Sequence, residues 1–169
     1  APYWIWHRIV LEKTGYTDSS LTKADSILGI ALNFDPTQPL LLYIKGNLAW
    51  ELKNQEKAVE YWALVKDLSP AYYKPNYKLG VYFRILDKFE EAENQLRIAQ
   101  TLSNGSDIKI AEELALTFYR TGQGDTCSHL IEWVESKGEM SPKLNWIKGL
   151  LWESAGDLET ASSIYQELM

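Results

Sequence analysis

Gln55-Glu56-Lys57-Ala58-Val59-Glu60-Tyr61-Trp62-Ala63-Leu64-Val65, followed by Ser69-Pro70, is the stretch that decides the fold. Ala58, Trp62 and Val65 stand at offsets 0, +4 and +7, which puts them on one face of an α-helix. Pro70 stops that helix, because proline has no N–H and clashes with the preceding turn. The pattern recurs. Steps of 34, 35 and 34 from Ala58 reach Ala92, Cys127 and Ala161, and 34 back lies Ala24. Four residues beyond each sit Leu28, Trp62, Leu96, Ile131 and Tyr165; seven beyond sit Ala31, Val65, Ala99, Val134 and Leu168. A second small series, Gly46, Gly80, Ala115 and Gly149, keeps the same steps. Small residues let two helices approach closely, and the large ones fill the space beside them. Turn signals separate the two series: Lys53-Asn54-Gln55, Leu86-Asp87-Lys88, Thr121-Gly122-Gln123-Gly124-Asp125 and Ala155-Gly156-Asp157. Each unit of about 34 residues is therefore predicted to be a helix–turn–helix hairpin.

Working outward, the whole chain has 169 residues, of which 46% are apolar and 24% charged. That much apolar surface supports a packed core and excludes a disordered chain. A single cysteine, Cys127, excludes a disulfide framework. The net charge of −6 argues against a nucleic-acid partner held through phosphates. No apolar run is long enough to span a bilayer. Without a Met at position 1, the chain is expected to be a processed product or part of a longer protein. Either a periplasmic, membrane-associated setting or a cytoplasmic one fits it.

Leu79-Gly80-Val81-Tyr82-Phe83 with Ala92, Leu96 and Ala99 resembles the tetratricopeptide repeat (TPR). So does Gly46 with Ala58, Trp62 and Pro70, and Gly149 with Trp152, Gly156, Ala161 and Tyr165. The resemblance implies an all-α fold: a right-handed superhelix, or α-solenoid, of about five hairpins in a single repeat domain. The units fall at about 1–36, 39–72, 73–106, 108–141 and 142–169. The first is degenerate, with about four extra residues around Tyr16–Ser19 and Arg8 in place of a small residue. Helices are expected over about 1–14, 20–33, 39–52, 55–68, 72–86, 88–103, 107–121, 123–136, 141–154 and 157–169. Trp4, Trp62 and Trp152 take core positions, whereas Trp6, Trp50, Trp133 and Trp146 do not.

Little in the chain promises catalysis. His7 and His129 lie in distant units, and no Cys/His cluster suits a metal. Cys127 and His129 are two apart on a helix and point away from each other. Glu90-Glu91 and Glu112-Glu113 are expected to form solvated helix surface. No catalytic residue, metal or cofactor is assigned.

The resemblance further implies that the first helix of each hairpin lines a concave groove, at about −6, −3, +1 and +4 from the Gly/Ala series. Those offsets also reach Leu40, Val81, Glu112, Leu116, Leu150 and Glu153; of the residues selected, Tyr43, Asn47, Trp50, Lys74, Tyr77, Arg84, Lys109, Tyr119, Lys143 and Trp146 are the expected partner-binding residues. Lysine recurs at one position in three units, against the acidic balance of the chain. The carboxylate-gripping set found in some TPR proteins is incomplete here, since Tyr43 precedes Asn47 where a lysine would be needed. The expected function is a non-catalytic scaffold that binds a protein or peptide segment, with apolar and acidic character, within a larger assembly. The alternative is a polysaccharide-contacting segment of a bacterial export or envelope machine, because exposed Trp and Tyr stack on sugar rings. The apolar residues Leu158, Ile164, Tyr165 and Leu168 near the C-terminus suggest self-association or continuation of the chain. Tyr3, Trp4 and Trp6 suggest tethering at a membrane through segments outside this chain.

Overall fold

The computed structural model describes residues 18–168. Nine helices occupy them: α1 Asp18–Phe34, α2 Pro39–Glu51, α3 Gln55–Leu68, α4 Tyr73–Ile85, α5 Phe89–Leu102, α6 Ile108–Arg120, α7 Gly124–Ser136, α8 Pro142–Ser154 and α9 Leu158–Gln166. No strand occurs among the described residues. The expected first helix, with Trp4, Trp6, Arg8 and Gly15, lies outside them. The chain divides into two compact units, Ala1–Pro75 and Asn76–Met169.

The two small-residue series meet as the pattern requires. Ala24, Ala58, Ala92, Cys127 and Ala161 are buried, as are Gly46, Gly80, Ala115 and Gly149. A Cβ placed on Gly46 would come within 2.7 Å of the Trp62 ring, and one on Gly80 within 2.6 Å of Leu96 Cγ. At Gly149 it would run into the ring of Tyr165. The glycine of each first helix thus receives the large +4 residue of the second. Trp62 is wholly enclosed, and its indole N–H donates to Asn47 Oδ1 at 3.2 Å. In the first unit, Leu21, Ala24, Leu28 and Leu48 make one core, flanked by Leu41, Ile44 and Leu52.

The hairpin turns are equally regular. Lys53, Asp87, Gly122 and Gly156 occupy equivalent positions, and all have positive φ. The next residue in each, Asn54, Lys88, Gln123 and Asp157, donates its N–H back to Ala49, Phe83, Phe118 and Trp152. This is the six-to-one closure of a Schellman motif. The same four residues are the N-caps of the following helices.

Two expectations are corrected. Trp152 is not core: it is 41% exposed, over a shallow cleft lined by Ser128, Ile131, Glu132, Lys148 and Leu151. Its counterpart Phe118 is buried under the guanidinium of Arg97, 5.0 Å from the ring centre. The residue equivalent to Arg97 in the next unit is Glu132, which lacks a long cationic cover, and indole is larger than phenyl. Glu113 is not solvated surface either: it is buried and held by two cations.

Candidate interaction face

The selected residues lie on α2, α4, α6 and α8, the first helix of each described hairpin. These helices start where the local sequence caps them. Gln38, Asp107 and Ser141 each accept a backbone N–H from the first turn that follows, and Pro39 and Pro142 enter without needing one.

In the first unit, Tyr43, Asn47 and Trp50 are half-buried and successive turns of α2 carry them. Tyr43 packs edge-on against Tyr72, with ring centres 5.4 Å apart. Burial, with Tyr43 and Tyr73 adding to it, pushes the Tyr72 phenol up to about 12, so Tyr72 stays neutral. Trp50 rests on Trp62 at 5.7 Å, tilted by 39°. Asn47 has its oxygen committed to the buried Trp62 N–H. Lys74, in the first turn of α4, is exposed.

In the second unit, Tyr77 and Tyr119 are half-buried, whereas Trp146 is 43% exposed. Lys109 is exposed in the first turn of α6. Arg84 and Lys143 are placed differently from a free basic row. Arg84 Nε lies 2.5 Å from Glu113 Oε2, and Lys143 Nζ lies 2.5 Å from Glu113 Oε1. One carboxylate on α6 therefore joins cations from α4 and α8. Glu113 was missed in the sequence because it stands two residues before Ala115, off the lining offsets. The signal was only its neighbour's: the equivalent residues Ile44, Lys78 and Ile147 are not acidic. At the far edge, Tyr165 donates its hydroxyl to Glu153 at 3.0 Å.

Among the described residues, no group of three or more His, Cys, Asp or Glu could hold a metal ion. No described helix is long and apolar enough to cross a membrane. Cys127 is buried, and its thiol donates to Ala115 O at 3.2 Å. Burial pushes that thiol up to about 11, so it is protonated and unreactive near neutrality.

Known structures share this fold. YrrB, a TPR protein with an unusual peptide-binding site, matches with a TM-score of 0.73 at 17% identity, over 99% of this chain and 83% of its own. TTC0263, a thermophilic TPR protein in Thermus thermophilus, matches with a TM-score of 0.72 at 18% identity, over 98% of this chain and 89% of its own. MamA 41-end from Desulfovibrio magneticus RS-1 matches with a TM-score of 0.79 at 18% identity, over 99% of this chain and 91% of its own. The chain has a TPR-type, all-α repeat fold. No family model matches the sequence, and no curated protein does.

Proposed function

We propose that this protein is a non-catalytic interaction scaffold whose first-helix faces hold an apolar or aromatic partner segment carrying negative charge. The observation that carries the reading is the set of rings at the lining positions. Tyr43, Trp50, Tyr77 and Tyr119 keep part of their surface open, and Trp146 more so. Tyr43 and Trp50 are braced from behind by Tyr72 and Trp62. A braced ring loses little freedom on binding, so its apolar contact converts efficiently into affinity. Lys74 and Lys109 add positive charge that steers an acidic segment and sets its register, acting on association rate more than on affinity. The peptide-binding site named for YrrB is consistent with such use of the fold.

The test is a titration of the intact protein with peptides of alternating aromatic and acidic residues, followed by Trp fluorescence. Trp146→Ala should weaken the best binder by about 1–3 kcal/mol while helicity is unchanged. Soluble oligosaccharides run in parallel decide the alternative, in which the open Trp146 ring stacks on sugar. Saturable sugar binding without peptide binding would replace the scaffold reading. A partner seated on the second helices, leaving these rings untouched, would end it.

A further inference from the structure

Glu113 is the only acidic residue among the equivalents Ile44, Lys78, Glu113 and Ile147. Its side chain is 9% exposed and stands between Arg84 and Lys143, each at 2.5 Å. The helix fixes it there: α6 is the most buried helix of its unit, and Thr117 on the next turn donates its hydroxyl to the Glu113 carbonyl at 2.7 Å. The two cations are themselves only partly open to water.

From this geometry we infer that Glu113 is an internal counter-ion that withholds Arg84 and Lys143 from any partner. It thereby leaves Lys109 as the exposed cation of this unit's lining positions for an acidic partner. A partner carboxylate approaching Arg84 or Lys143 would have to displace a carboxylate already held within the same unit, or sit beside it and meet like-charge repulsion. Two cations against one carboxylate leave this cluster with one net positive charge instead of two, and that charge is already engaged with Glu113. Glu113 acts through Arg84 and Lys143 and is a selectivity-setting residue; it makes no contact with the partner itself. This inference rests on the proposed acidic-segment reading for its biological consequence. The withholding itself can be measured with a probe that needs no aromatic face.

The probe is a fluorescein-labelled hexaglutamate peptide, followed by anisotropy at low ionic strength. Glu113→Gln should bind it about tenfold more tightly than the parent, with a steeper loss of affinity as salt rises. Glu90→Gln makes the same change of net charge at an exposed position of α5, off the lining positions, and should gain less than about twofold. Adding Arg84→Gln and Lys143→Gln to Glu113→Gln should remove the gain. A Glu113→Gln protein with parental helicity that binds no tighter than Glu90→Gln overturns the inference. Should Glu113→Gln not fold, lysine acylation of the parent protein decides. Lys143 should react several-fold more slowly than Lys109, and hexaglutamate should protect Lys109 but not Lys143. Equal rates, or protection of Lys143, overturn it. Failure of the aromatic peptides to bind would sink the proposed function and leave both measurements readable.

Discussion

Gly80 shows how a single hydrogen atom in place of a side chain sets the distance between two helices. A methyl group there would press on Leu96 Cγ, and Leu96 is fully enclosed. Alanine would gain about 1 kcal/mol in helix propensity, but overpacking a closed core costs about 1–3 kcal/mol. Gly80→Ala should therefore lower the thermal midpoint. Gly149→Ala presses on Tyr165, a half-buried ring that can swing once its hydrogen bond to Glu153 is given up. It should cost less, and a midpoint for Gly149→Ala below that of Gly80→Ala would contradict this. Cys127 occupies the equivalent small position of the second helix in its hairpin and supplies a pH signature. Its thiol is raised from an ordinary 9.0 to about 11 by burial. A raised value means the folded state holds the proton more tightly. The stability it contributes is complete below about pH 9 and is lost as pH rises through about 11. Denaturant midpoints measured on either side of that window should fall further for the parent than for Cys127→Ala. Parallel curves would refute the assignment.

At the scale of the element, four hairpin turns solve one problem with different residues. Each requires a left-handed residue followed by an N-cap. Gly122 and Gly156 adopt positive φ without strain, whereas Lys53 holds φ 64° with a Cβ in place. Relieving it should be favourable by about 1 kcal/mol, so Lys53→Gly is expected to raise the melting temperature. At the next position, Asn54 accepts the N–H of Lys57, but Lys88 makes no side-chain cap. The two have nearly the same backbone angles, φ −94° and ψ 77° against φ −86° and ψ 71°. Lys88→Asn should therefore supply the missing bond and add about 0.5–1 kcal/mol. A melting temperature at or below that of the parent would show that the helix entry is held by something other than the cap.

Across the whole molecule, stability in a repeat array is the sum of each unit's own packing and its contacts with neighbours. In the second unit α6 buries Ile110, Ala111, Leu114, Ala115 and Phe118, while α9 buries only Ala161. Amide hydrogen exchange should accordingly be slowest in α6 and fastest in α9 among the helices of that unit. Protection of α9 equal to that of α6 would mean that something covers its open side in solution. The same gradient suits a binding scaffold, since the residues that carry the rings sit on the well-buried first helices rather than on the loosely held end.

The repeat itself was legible in the sequence. Ala58, Trp62 and Val65 recur at fixed offsets because each hairpin must bury the same face against the same kind of neighbour. The helix bounds followed to within about three residues wherever they are described. Local chemistry announced two of the left-handed turn residues, Gly122 and Gly156, whereas Lys53 and Asp87 hold the same backbone with side chains that do not mark it. The tertiary structure alone decided what happens between hairpins. Trp152 and Phe118 hold the same register, yet only Phe118 is covered, because Arg97 lies over it and the equivalent residue on α7 is Glu132. Arg84, Glu113 and Lys143 are 29 and 30 residues apart along the chain and meet only because α4, α6 and α8 present them to one point. Periodicity reports which face of a helix is apolar. It carries no information on which charges from three different helices will neutralise one another, because that depends on distances the fold creates.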